Sequence, residues 1–186
     1  ALLDFAEHAE SNEMQNRFFE AMGAVRGHRA EMEHVFRQQV NDGFDTFGES
    51  SSAPVEEDQD PEELSLIEQD DMDEAVAVEN LVMKSRDAYF SQLYALGQRF
   101  AVLNHGRKIP EEQIPGGPTY LANGFQAAIR VLSVDVKAKI VLYALFDKFV
   151  MRQLKGLYDE INSNLKNAGI LPNLKQIIRR QTSPDA

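Results

Sequence analysis

Large apolar residues recur at helical spacing through most of the chain. From about Asn12 to Phe47 they stand at Phe18, Met22, Val25, Met32, Phe36, Val40, Phe44 and Phe47, separated by threes, fours and a single seven, which puts them on one stripe of a helix. Gly23 and Gly27 interrupt that stripe, each costing about 1 kcal/mol against Ala in a helix interior. The helix therefore depends on a partner surface more than on its own propensity. The Gly23-x-x-x-Gly27 spacing would let a second helix approach closely, but Arg26, His28 and Arg29 surround it, unlike the apolar settings in which that spacing usually mediates contact.

The pattern then stops. Residues 48–61 (GESSSAPVEEDQDP) hold only Ala53 and Val55 as apolar residues, too few to offset the entropy of ordering the segment. We read 49–63 as a flexible acidic linker between an N-terminal helical arm, 1–48, and a helical bundle, 64–186. Leu64 to Ile67 form a short apolar anchor. Asp70 or Asp71 then supplies an N-cap, with Asp73 and Glu74 complementing the positive helix end. The spacing of Met72, Val76, Met83, Phe90, Leu93, Leu96, Phe100 and Leu103 predicts one long helix to about Asn104. Residues 107–117, with two prolines and two glycines, read as a loop that Pro118 closes as the first residue of a short helix carrying Leu121, Phe125, Ala128, Ile129 and Leu132.

Ser133 is the expected next N-cap, with Asp135 in the first turn. Val136 to Leu165 gives the strongest signal, with Ile140, Tyr143, Phe146, Phe149, Val150, Leu154, Leu157, Tyr158, Ile161 and Leu165 forming a wide apolar face. Burying one such side chain contributes at most about 1.5–3 kcal/mol, so this helix should be central. Asn167-Ala168-Gly169 followed by Ile170 and Pro172 reads as a helix end with Gly at C′. Leu174, Ile177 and Ile178 support a last turn or two. The fold class this predicts is an all-α helical bundle of about four main helices with a long N-terminal helix.

The net charge of −11 is concentrated in one place. Twelve of the 30 acidic residues fall between Glu49 and Glu74, where there is no Lys or Arg, and the other 18 face 19 basic residues. The folded body is near neutral, and the only basic cluster is Lys175, Arg179 and Arg180; no basic stripe of the kind that displaces phosphate counterions is evident, so no nucleic-acid partner is expected. No apolar run approaches the roughly 20 residues of a membrane span. The absence of cysteine removes disulfides and thiolate chemistry, making the cytoplasm the expected location. The first residue is Ala1 and no leader follows, which reads as a fragment of a longer chain.

Candidate chemistry is sparse. Glu31-x-x-His34 is half of the motif used by di-iron bundles, but His8, His28 and His105 have no Glu three residues before them. The acids from Asp70 to Glu74 lack the calcium-loop pattern. Gly116-Gly117-Pro118 opens a helix where an anion can bind, without a following Gly-Lys-Ser or Gly-Lys-Thr. No Gly-x-Ser-x-Gly and no Ser with an identifiable base are present. Tyr89, Tyr94, Tyr143 and Tyr158 read as core residues with hydroxyls at the rim. We therefore expect no catalytic residues, no metal and no cofactor.

Several blocks carry a resemblance: Phe18 to Met22 (FFEAM), Glu63 to Glu68 (ELSLIE), Ala77 to Val82 (AVENLV), Leu93 to Arg99 (LYALGQR), Leu142 to Val150 (LYALFDKFV), Leu157 to Asn162 (LYDEIN) and Ala168 to Pro172 (AGILP). From about Asn16 to Gln181 the chain resembles the proteobacterial domain-of-unknown-function family 1631. The resemblance implies a bacterial cytosolic protein several hundred residues long, with no established active site. Some relatives carry a thymidine phosphorylase label, for which this chain has neither an α/β pattern nor a phosphate-binding glycine loop. Some long relatives end in a PilZ-type domain that binds cyclic di-GMP. Its Arg-x-x-x-Arg and Asp/Asn-x-Ser-x-x-Gly motifs are not both present here, so that binding would belong to another part of the protein.

The expected role is a non-catalytic interaction or scaffold segment of a larger regulatory protein, acting through self-association or a protein partner. Its candidate surface is the arm stripe Phe18, Met22, Val25, Met32, Phe36, Val40 and Phe44. The alternative is a domain binding a small ligand or nucleotide, with a pocket near the 104–118 loop. Arm-driven assembly predicts that deleting residues 1–48 lowers the mass measured by light scattering across a concentration series; an unchanged monomer would contradict it.

Overall fold

A computed structural model describes residues 2–8, 11–47 and 69–174. The expected linker 49–63, the anchor at Leu64 to Ile67 and residues 175–186 lie outside the described residues. Among those described, every regular element is helical: α1 (Leu2–Glu7), α2 (Asn12–Gly27), α3 (Arg29–Asp45), α4 (Gln69–Ala88), α5 (Phe90–Leu103), α6 (Pro118–Ile129), α7 (Val136–Phe149) and α8 (Leu154–Asn167), with 3₁₀ turns at Glu111–Gln113 and Met151–Gln153. The all-α bundle expected from the apolar spacing is the observed architecture.

Three expected long helices are each broken once. The predicted N-terminal helix divides at His28 (φ −104°, ψ 12°) and the one after it at Tyr89 (φ −116°, ψ 21°). Both breaks keep the flanking bonds, from His28 N–H to Ala24 O and Met32 N–H to His28 O, and from Tyr89 N–H to Ser85 O and Leu93 N–H to Tyr89 O. They are bends, not ends. The third break tightens the central helix into a 3₁₀ turn after Val150 (φ −118°, ψ −65°). Arg152 donates to Asp147 Oδ2 from both Nε (2.9 Å) and Nη2 (2.8 Å) across this turn. The second and third breaks are joined, because the buried Tyr89 hydroxyl donates to Met151 O at 3.0 Å.

Helix α3 packs along α6, and glycines on both sides let the two approach closely. A Cβ on Gly43 would fall 2.5 Å from Tyr120 Cε1, and one on Gly124 would fall 3.3 Å from Phe36 Cδ2. Each glycine receives an aromatic ring from the opposite helix. Gly23 and Gly27, whose spacing suggested close approach, have nothing within 4 Å of an added Cβ. The seam continues into an aromatic series in which Phe36 meets Phe146 edge-on at 6.0 Å and Phe146 stacks on Phe125 at 4.1 Å.

On α4 the predicted stripe faces outward. Met72, Val76 and Met83 are 49%, 54% and 53% exposed, while Glu74, Val78, Leu81 and Ser85 form the buried face. Helical spacing fits both sets, and Val78 and Leu81 supply the apolar contact that the core uses. In the central segment Ile140, Phe149 and Leu157 are likewise exposed, so its apolar face is narrower than the sequence suggested. Asp70 and Asp71 stand in the first turn of α4 and not before it. Ahead of α7 the N-cap is Asp135, not Ser133: its Oδ1 accepts from Ala138 N–H at 2.8 Å while its Oδ2 accepts from Arg17 Nη1 at 3.1 Å. Pro118 opens α6 as expected. Gly169 (φ +83°) ends α8, with Gly169 N–H on Lys166 O and Ile170 N–H on Leu165 O, the paired bonds of a Schellman end.

Opposite effects are expected from substituting the two kinds of glycine. Gly124→Leu should overpack the seam against Phe36 and cost about 1–3 kcal/mol, whereas Gly23→Ala should gain about 0.5–1 kcal/mol from helix propensity. Urea unfolding of the two variants checks this, and a neutral Gly124→Leu would deny the seam its role.

Candidate functional site

The arm stripe lies against the chain's own bundle. Phe18 is buried, Met22 is half-buried, and Val25, Met32, Phe36 and Val40 pack on the core. Phe44 is 43% exposed, with its ring edge beside Gly116. This stripe is occupied within the chain by contacts that the periodicity alone could not assign.

The other candidates separate in the same way. Glu31 is exposed and accepts from His28, at 3.3 Å, rather than meeting His34. Among the described residues no three His, Cys, Asp or Glu side chains are gathered so as to hold a metal ion. Residues 114–118 are buried, Gly117 N–H donates to Ile114 O at 2.8 Å, and Gly116 O accepts from Tyr158 at 3.3 Å. The start of α6 is thereby enclosed by protein. The hydroxyls of Tyr89, Tyr143 and Tyr158 are buried and bonded, not at the rim. Beside the 104–118 loop lie two recesses, one of about 160 Å³ lined by Phe47, Lys108 and Tyr120 among others and one of about 230 Å³ lined by Tyr94, Ile109 and Ile114 among others, both smaller than the roughly 300 Å³ at which small-molecule pockets begin.

Sequence reasoning missed Glu74. It belongs to the acidic run, yet it is 6% exposed, and it accepts from Tyr143 Oη at 2.8 Å, Lys139 Nζ at 2.9 Å and Gln126 Nε2 at 3.4 Å. Burial raises its pKa, but the bonds from Lys139, Tyr143 and Gln126 and the Lys139 charge together outweigh that, holding the carboxyl below its ordinary value. Burial, and then the Glu74 bond, push the Tyr143 phenol far above its own. Glu74 is thus an internal tie from α4 to α6 and α7. Its register with Val78, Leu81 and Ser85 was the available signal, since four-, three- and four-residue steps place all four on one face.

A polar cleft of about 330 Å³ lies between α5 and α8 beneath the turn after α8; Ser91, Tyr94, Arg99, Ser163 and Lys166 line it. Arg99 is 6% exposed. Its guanidinium donates from Nη1 to Asn162 Oδ1, from Nε to Ile170 O at 3.3 Å and from Nη2 to Leu171 O at 3.4 Å. All three acceptors are neutral. They hold a turn in which Leu171 adopts φ +44°, a conformation that costs a non-glycine residue about 1–2 kcal/mol. The blocks Leu93 to Arg99, Leu157 to Asn162 and Ala168 to Pro172, separated in sequence, meet here.

A second surface is the outward face of α4. At 100° per residue Met72, Val76 and Met83 fall within a narrow band, with the exposed Glu79 beside them. At its end Met83 borders a shallow recess of about 320 Å³ shared with Arg86, Phe90 and Glu111. Arg86 is tied there to Glu111 at 2.9 Å and Glu112 at 3.0 Å.

These features define an all-α domain whose buried charges serve mainly as ties between helices, and none of whose described helices is long and apolar enough to cross a membrane. A family model described as the N-terminal domain of a protein of unknown function (DUF1631) matches residues 1–169. The chain belongs to that family. No curated protein and no solved structure matches it.

The Glu74 tie carries a pH signature. Because the folded pKa is depressed, its stabilisation is complete above the ordinary carboxylate range and is lost as pH falls through the folded value. Glu74→Gln should cost about 1–3 kcal/mol near neutral pH by weakening the bonds to Lys139 and Tyr143, and the difference from the wild type should shrink toward about pH 3. Denaturant unfolding at both pH values checks this; an equal deficit at both would assign the cost to packing.

Proposed function

We propose that the domain is a non-catalytic helical interaction module of a larger protein and that it receives a basic amphipathic helix on the outward face of α4. The observation supporting this is the band formed by Met72, Val76 and Met83, each about half exposed, with the exposed Glu79 on the same face. A helix lying in such a groove offers apolar anchors at i, i+4, i+7 and i+11. The Glu79 carboxylate favours Lys or Arg beside those anchors, and methionine side chains adapt to varied partner shapes. Phe18, Val25, Met32, Phe36 and Val40 of the arm stripe are already packed within the chain, which favours α4 over the arm as the contact surface.

Affinity should be modest. Covering three half-exposed side chains gains roughly half of the about 1.5–3 kcal/mol that each would contribute on full burial, and association entropy opposes it. A dissociation constant on the order of millimolar is expected.

Calorimetric titration with a synthetic helix of about 18 residues, Leu at i, i+4, i+7 and i+11 and Lys elsewhere, tests the reading. Val76→Asp with Met83→Asp should weaken binding about tenfold or more, and a peptide of the same composition with scrambled spacing should bind weakly. Equal binding of the scrambled peptide, or unchanged binding by the double variant, would overturn it. Concentration-dependent dimerisation abolished by the same variants would also overturn it, by giving this face to a second copy.

A further inference from the structure

We propose that the cleft between α5 and α8 binds a small metabolite through an oxyanion group, phosphate or carboxylate, held by Arg99 and Lys166. A guanidinium has five N–H groups, and the bonds to Asn162 Oδ1, Ile170 O and Leu171 O use three. Two remain on a side chain that lines the cleft. Its charge is offset by no carboxylate among its hydrogen-bond partners. A buried cation surrounded by neutral acceptors keeps much of its desolvation cost, and an anion in the adjoining space would lower that cost.

The rest of the lining agrees. Lys166 brings a second cation, and Ser91, Ser163 and Tyr94 bring hydroxyls that donate to an oxyanion or accept from a ligand hydroxyl. Among the described residues of the lining the one carboxylate, Asp159, is engaged by Lys155 Nζ at 2.5 Å and Gln92 Nε2 at 3.3 Å. The cleft therefore presents positive charge in a chain whose net charge is −11. That contrast also limits the ligand's size. The volume, about 330 Å³, is at the lower end for small-molecule sites, and the acidic remainder of the chain disfavours a long polyanion. The planar fork of Arg99 fits two oxygens of one head group, with Lys166 as a point charge beside it.

Inorganic phosphate, pyrophosphate and citrate, titrated separately into the 186-residue chain at constant ionic strength, test this by calorimetry and thermal shift. At least one should bind and raise the melting temperature by mass action, at concentrations up to about 10 mM. Lys166 and Ser163 are exposed, so Lys166→Ala and Ser163→Glu should fold normally by circular dichroism yet bind about tenfold or more weakly. Preference for phosphate or for citrate identifies the head group and supports the proposal either way. No binding by any of the three beyond the effect of sodium chloride, or binding undiminished in both variants, would overturn it.

Discussion

The structure depends on how closely α3 can approach α6. Two helices with ordinary side chains at the contact stand 8–10 Å apart, and here Gly43 and Gly124 remove the side chain at one contact on each side, so that Tyr120 and Phe36 fit into the opposite backbone. That approach carries Phe36 to Phe146, which in turn stacks on Phe125 beside Tyr143 and Glu74. The arm is therefore part of the apolar core that the later helices share. Moving α3 outward would separate Phe36 from Phe146 and loosen the wall behind the buried carboxylate.

The positions of the helices were legible in the sequence, but their interruptions and their facing were not. Spacing in threes and fours located α2 to α8 because an amphipathic helix leaves that trace in its own residues. The bend at Tyr89 leaves no local trace; it accompanies a phenol that reaches Met151, 62 residues on. Ser133 and Asp135 are both competent caps, and Asp135 has the added bond to Arg17, 118 residues earlier. On α4 both Met72/Val76/Met83 and Glu74/Val78/Leu81/Ser85 have helical spacing. Hydrophobicity favours the first set, and the tertiary contacts bury the second. The partners that make Glu74 burial tolerable, Lys139 and Tyr143, lie 65 and 69 residues away.

The same distinction applies to the two surfaces. The recognisable blocks at Leu93 to Arg99, Leu157 to Asn162 and Ala168 to Pro172 are visible as strings, but their convergence around one guanidinium appears only in the folded chain. Arg99 in isolation reads as one polar residue within an apolar helix. In the fold it holds two carbonyls of a strained turn and reaches Asn162, whose amide donates to Gln92 O at 3.1 Å and Tyr158 O at 2.9 Å. Asn162 thereby links the first turn of α5 to the middle of α8, using both ends of one side chain.

Helix α5 begins where these arrangements meet. Tyr89, at the bend before it, is buried and bonded to Met151, and its ring contacts Tyr158 edge-on at 5.7 Å. The next residue, Phe90, lines the recess at the end of the α4 face, and the one after, Ser91, lines the cleft beside α8. Successive positions in a helix are 100° apart, so one turn supplies both surfaces from different sides of the same backbone. Because Tyr89 ties this turn to the 3₁₀ segment that precedes α8, α5 cannot rotate about the bend without also straining the Met151 bond and changing both linings. The tightly packed tyrosine pair thus fixes the relation between the exposed apolar face and the polar cleft.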